Sequence, residues 1–246
     1  QLPRLQLGGE LWLDWAAGQA QRAALRLHAP QLDVRPAQRS LAEFRDLALT
    51  AHFAREAQGW RLLVEELAGS FAGERLNPGQ LQLRRLAADD TWLLQAERLN
   101  LAPLASLVRG LAPLPDKAVE ILASLAPHGR LRDLRAEVRP RGEGLPEVEY
   151  DLRLDRVGVS AWHGVPALEN VSGSLSGSLA GGELRLDAND FMLHLDTLFP
   201  EPWRYRRARA RLEWRLDAEA STLSSALMRL SGEEGELAGN MLNRLR

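Results

Sequence analysis

Apolar and polar side chains alternate with a period of two along run after run of this chain. Leu11, Leu13 and Trp15 alternate with Trp12 and Asp14, and Leu25 and Leu27 flank Arg26. Leu81 and Leu83 alternate with Gln80, Gln82 and Arg84, and Val148, Tyr150, Leu152 and Leu154 with Glu149, Asp151 and Arg153. The same holds for Leu184 and Leu186, for Phe191, Leu193 and Leu195, and for Leu212, Trp214 and Leu216. Successive side chains of a strand point to opposite faces, so each run carries one apolar and one polar face. That is the pattern of an antiparallel sheet with one side wet. Short turn signals separate the runs: Gly8-Gly9, Asn77-Pro78-Gly79, Asp89-Asp90 and Gly181-Gly182. The predicted class is mainly β, built as a meander, sandwich or barrel rather than from βαβ units.

One stretch breaks the alternation. Around 101–126 the apolar spacing lengthens to three or four, through Leu101, Leu104, Val108 and Leu111 and then Val119, Leu122 and Leu125. Pro113 and Pro115 interrupt it, so the spacing predicts two short amphipathic helices, the second capped by Asp116. The expected organisation is a β section over 1–100, helices over 101–127 and a second β section over 128–246. Residues 79–107 and 173–203 share a strand, turn, strand order that reads as a weak internal repeat.

Two short helices cannot cover the apolar face of a dozen or more strands, which at about 4.8 Å each run to roughly 60 Å. A soluble protein rarely leaves so large an apolar patch bare. Either the sheet packs on itself as a sandwich or barrel, or it curls into a trough that holds apolar ligand; the alternation is compatible with both.

Few residues carry chemistry. The chain has no cysteine, which excludes disulfides, thiolate zinc sites and cysteine nucleophiles. His28, His52, His128, His163 and His194 form no pair at metal-ligand spacing. Asp89-Asp90 sits in an expected hairpin turn, where Asp bonds its own backbone. Glu65-Glu66 and Glu233-Glu234 read as solvated faces or turns. Gly173-Ser-Leu-Ser-Gly177 carries Leu175 where a nucleophile elbow needs serine. Neither a catalytic residue, a metal site nor a cofactor is expected. Thirty-one basic and 33 acidic residues give a net charge of -2, without the basic stripe of a nucleic-acid binder. Aromatic and basic residues interleave only over 203–215, and there Arg209, Arg211 and Arg215 face away from Trp214. No apolar run reaches 18 residues, so no membrane-spanning helix is expected. Gln1 and Arg246 read as the ends of a piece of a longer protein, with any export signal or anchor lying beyond them.

An ordered set of short motifs supplies a resemblance. Leu111-Ala-Pro-Leu-Pro115 and a helix precede Leu125-Ala-Pro-His-Gly-Arg-Leu-Arg-Asp-Leu134; then come Val157-Gly-Val-Ser-Ala-Trp-His-Gly-Val-Pro166 and Leu168-Glu-Asn-Val-Ser-Gly173. Gly182-Glu-Leu-Arg-Leu186, Leu198-Phe-Pro-Glu-Pro202 and Ala210-Arg-Leu-Glu-Trp214 follow. In this order they resemble the YhdP family of the AsmA-like superfamily, from Gram-negative envelopes. The match covers about residues 110–240, and Ala167 and Ala220 depart from the pattern. The resemblance implies an elongated, curved antiparallel sheet forming an apolar groove, in the periplasmic portion of an inner-membrane-anchored protein. It implies movement of phospholipid between inner and outer membranes, with acyl chains, neighbouring sections of the same full-length protein, and inner- and outer-membrane proteins as partners. The apolar residues of the alternating runs, Leu11 to Leu216, are then the candidate groove lining. A β scaffold that assists outer-membrane assembly without binding lipid is the alternative, and an enzyme with a dispersed site the third reading.

Overall fold

The computed structural model describes residues 6–34, 42–71, 73–111, 116–141, 146–162, 166–195, 200–216, 221–232 and 235–245. Pro113 and Pro115, His163, Leu198-Phe199, Ala220 and Glu233-Glu234 lie outside the described residues.

The alternating runs form strands of one antiparallel sheet. In chain order these are β1 (Gln6–Ala16), β2 (Gln19–Val34), β3 (Ala42–Glu56), β4 (Gly59–Phe71), β5 (Glu74–Leu76), β6 (Leu81–Leu86) and β7 (Trp92–Asn100), then β8 (His128–Arg139), β9 (Glu147–Val159), β10 (Ala167–Ser178), β11 (Gly181–His194), β12 (Trp203–Leu216), β13 (Ser221–Ser231) and β14 (Glu236–Leu245). Each pairs with its neighbour in sequence, except that short β5 pairs only with β4 and β6 takes the place beside it. The result is an open meander whose end strands, β1 and β14, do not pair with each other. Ala17 and Gly18 both take positive φ at the β1–β2 turn, as a two-residue hairpin loop requires.

The sheet does not fold into a sandwich. All substantial contacts between elements join sheet neighbours or involve the helices. The chain exposes 16440 Å², whereas a compact protein of its mass exposes about 11,000 Å². The large excess is the signature of a single layer. The most enclosed positions are small, Ala29, Ala208 and Ala188, and no large side chain among the described residues is fully enclosed.

Several strands bend at interior positions. Asp46, Asp133, Arg156, Asn170 and Asp190 sit inside strands with φ between +49° and +57°. Asp and Asn visit this left-handed region more readily than other non-glycine residues. Register shifts mark Asp46, Asp133, Arg156 and Asn170, each on at least one side. A bulge bends its strand and resets the alternation. In β11, Leu186 and Ala188 before Asp190 therefore join the same buried cluster as Phe191 after it. The side-chain amide of Asn170 donates to the Asp190 carbonyl across the β10–β11 pair, at 2.9 Å.

Helices α1 (Leu101–Leu111) and α2 (Asp116–Leu125) fill the β7–β8 connection, at the spacing the sequence predicts. Leu107 of α1 packs on Phe71 and Leu76, as does Phe44 of β3. The Ser160 backbone N–H donates to Leu125 O at 2.8 Å, tying the end of α2 to the end of β9.

Two local expectations shift. Gly8-Gly9 lies inside β1 rather than in a turn, and a Cβ on Gly9 would meet Arg26 O at 2.6 Å. Gly181-Gly182 opens β11, and the turn falls at Leu179-Ala180. In each case the glycine admits a neighbouring group rather than turning the chain.

Asp190→Val is expected to lower unfolding free energy by about 1–2 kcal/mol, because a β-branched residue resists positive φ, while Asp190→Gly stays within about 0.5 kcal/mol. Urea midpoints with unchanged slope check this.

Candidate functional site

Cross-strand partners share a face, so the register reads the composition of each side directly. One row runs Leu13, Ala23, Phe53, Leu62, Leu83, Leu94, Ala136, Tyr150, Gly177, Gly182, Trp214, Leu223 and Asn243, from β1 to β14. No charged residue interrupts it. The next row runs Leu11, Leu25, Ala51, Val64, Leu81, Ala96 and Leu134. Beyond the bulge of β8 it is taken up by Leu152, Leu175, Leu184 and Leu212. Apolar rows thus cross nearly the whole sheet.

The opposite face is polar. One of its rows reads Arg132, Arg153, Ser174, Arg185 and Arg211. Like charges directly opposite one another repel. Carboxylates between them offset this: Arg130 and Arg132 each lie 3.0 Å from Asp155, and Arg185 and Arg211 share Glu183. The guanidinium of Arg185, with Arg211 beside it, holds the Glu183 carboxyl below the usual carboxylate range against a smaller opposing effect of burial. Burial on the apolar side instead pushes the Tyr150 and Tyr205 phenols up.

Buried apolar strand residues, among them Leu47, Ala96, Val171, Leu186 and Leu230, belong to the apolar face. That face is the sheltered side of the curve. The best-packed part lies on β10–β13, where Val171, Leu186, Phe191, Ala208 and Leu230 cluster and the Phe191 and Tyr205 rings stack at 6.3 Å. Gly182 leaves space that the Trp214 ring occupies, since a Cβ there would meet its Cζ2 at 2.6 Å. A hollow of ≈ 570 Å³ nearer the middle is lined by Leu83, Trp92, Leu94, Val138, Pro140, Arg141 and Pro146.

The predicted lining residues distribute unevenly over this face. Leu152, Leu186 and Phe191 are buried; Leu25, Leu27, Leu81, Leu83, Val148, Tyr150, Leu154, Leu184, Leu193, Leu212 and Trp214 are half-buried. Leu195 is half-buried just past the end of β11. Leu11, Leu13 and Trp15 of the end strand are the most open, at 65%, 53% and 61% exposure, and Leu216 closes β12 at 49%. Sequence reasoning missed Phe53, Trp60, Leu62, Trp92 and Leu94. Trp60-Arg61-Leu62-Leu63-Val64 and Trp92-Leu93-Leu94 are apolar on both faces, which hides the period. It drew no lining residue from β10, which overlaps the first strand expected in 173–203, because the serines and glycines there carry little hydropathic signal.

Among the described residues no acid–base constellation accompanies the face. Asp89 accepts from the Thr91 backbone N–H at 3.3 Å, and hydrogen bonding to Thr91 draws its carboxyl below the usual range. His52 and His128 sit beside Glu65 and Glu169, at 3.3 and 2.8 Å. Among the described residues no three His, Asp or Glu side chains converge as a metal site, and no helix is long and apolar enough to cross a membrane.

The model of the family described as YhdP protein matches residues 2–243. This chain belongs to the YhdP family. A relative from Escherichia coli strain K12, named as the intermembrane phospholipid transporter YhdP, is 23% identical over 176 residues. That match takes in 68% of this chain and 14% of the relative, so the chain spans a small part of the relative's length. No solved structure matches significantly. Family membership agrees with the open, curved, groove-like sheet described above.

Truncation costs are expected to follow shelter. Leu186→Ala is expected to cost about 2–3 kcal/mol and Leu11→Ala less than about 0.5 kcal/mol. Denaturant titration of the two variants checks the contrast.

Proposed function

We propose that this chain is one section of a periplasmic conduit that carries phospholipid between inner and outer membranes, with acyl chains lying on the apolar face. The carrying observation is the row of apolar side chains that runs through successive strands without a charged residue. The name of the E. coli relative, an intermembrane phospholipid transporter, supports the choice of cargo.

The energetics fit this reading. Each buried CH₂ is worth about 0.8 kcal/mol, so a chain of ~16 carbons in water costs roughly 13 kcal/mol. A curved apolar face offsets much of that cost while the head group stays wet. Strands of 12–14 residues, as in β8–β12, are about 40 Å long, more than an extended acyl chain needs. Nothing in such transport calls for bond chemistry, so we read the protein as a carrier and not an enzyme. A closed scaffold would need its apolar side chains packed against one another, and the half-exposed rows offer no such interior. β1 and β14 present free edges on which neighbouring sections of the full-length protein would continue the sheet. Membrane proteins at either end complete the proposed path.

A charge on the floor of the groove tests the proposal. Leu152→Asp and Leu193→Asp are expected to reduce co-purifying phospholipid at least about fivefold, since desolvating a carboxylate beside an acyl chain costs several kcal/mol. Arg153→Asp, one residue along on the opposite face, is the control and keeps its lipid. Undiminished lipid in both floor variants contradicts the proposal.

A further inference from the structure

We propose that the hairpin-turn rim of the apolar face holds a phosphate subsite, formed by Arg55 and Arg85 alternating with Trp60 and Trp92 across four strands. This rests on reading the face as an acyl groove, and it names where the head of the lipid sits.

The register brings the four residues together from β3, β4, β6 and β7. Arg55 pairs with Trp60, Trp60 with Arg85, and Arg85 with Trp92. The row continues as Val138 and Val148. In the half of the sheet that ends at these hairpin turns, Arg55 and Arg85 are the only charged side chains at strand positions of the apolar face, among the described residues. Several other strand arginines stand beside carboxylates on the opposite face, as Arg84 does with Glu56 and Arg207 with Asp187. Arg55 makes no ion pair among the described residues; its Nε reaches Ala20 O at 3.5 Å. Arg85 donates from Nε to Asp90, and its guanidinium carbon stands 5.8 Å from the centre of the Trp92 ring. Trp60 meets Trp92 edge to face at 5.5 Å, with Phe53 a further 6.1 Å from Trp60.

This arrangement matches a phosphate attached to hydrocarbon. A guanidinium presents five donors in a planar fork suited to phosphate oxygens, and Asp90 engages only one nitrogen of Arg85. Tryptophan suits a boundary that is apolar on one side and wet on the other. The next row inward is Phe53, Leu62, Leu83 and Leu94, about 7 Å along the strands. The hollow lined by Leu83, Trp92, Leu94 and Val138 opens beside it. A phosphate on the arginine row therefore has its acyl chains over apolar side chains at once. An inorganic phosphate would use the same donors but gain nothing from the inner row.

The test measures retention of two lipids with identical acyl chains, phosphatidylglycerol and diacylglycerol, and binding of inorganic phosphate alone. Arg55→Gln/Arg85→Gln is expected to retain roughly tenfold less phosphatidylglycerol, the loss of about one charge-assisted contact, with diacylglycerol unchanged. Unchanged diacylglycerol also reports that the groove of the variant is folded. Arg55→Lys/Arg85→Lys should fall between wild type and the Gln pair, and Arg229→Gln on the opposite face should match wild type. Equal retention of phosphatidylglycerol by wild type and the Gln pair overturns the subsite and leaves the groove standing. An equal loss in Arg229→Gln overturns it too, by assigning the effect to general charge. Inorganic phosphate bound as tightly as phosphatidylglycerol overturns the lipid assignment. A wild-type protein that retains neither lipid removes the groove and the subsite together.

Discussion

The structure depends on a mismatch between what the strands expose and what the chain supplies to cover it. A single antiparallel layer with one apolar face must bury that face against something. Here, among the described residues, the main helix packing on the sheet is that of α1 on the region of β4, β5, β7 and β8. Curvature does part of the remaining work. It shelters Leu152, Leu186, Phe191 and Leu230 without a second layer, and leaves Leu11, Leu13 and Trp15 open at the β1 edge. An apolar ligand completes the cover in the reading advanced above, so the unsatisfied face becomes the working part.

The bends within strands are what let such a sheet stay apolar on one side over its full width. A strand that continued its alternation without interruption would twist its apolar residues away as the sheet curved. Left-handed residues at Asp46, Asp133, Arg156, Asn170 and Asp190 bend the strands, and the reset keeps Leu154 and Val157 of β9 in one cluster, as it does Ala188 and Phe191 of β11. Three of these five are Asp and one is Asn, residue types whose short polar side chains tolerate that conformation. The opposite face meanwhile carries its arginines with carboxylates between them, which keeps the outside wet and the sheet in one register.

Much of this was legible from the residues alone. Val148 to Leu154 and Leu212 to Leu216 announce β9 and β12, and the longer spacing after Leu101 announces α1 and α2. The alternation did not separate a trough from a sandwich, because both need one apolar face; the excess exposed area separates them. The bend was hidden, since a single Asp inside a run looks like one more polar position. The rim of Arg55, Trp60, Arg85 and Trp92 was hidden for a different reason. Its members lie on four strands, and interleaving of Arg with Trp exists only across the sheet, whereas a linear reading finds such interleaving only in β12. Alanine and glycine positions such as Ala96, Ala208 and Gly182 also escape a hydropathy reading, although they shape the floor.

A photo-crosslinking residue walked along β7 and β8 inside the full-length protein addresses the central claim most directly. Lipid adducts should form at Leu94, Ala96, Leu134 and Ala136, which face the apolar side, and not at Leu93, Gln95 and Arg135 between them. Adducts that ignore this alternation, or none at any of the seven positions, would contradict the account.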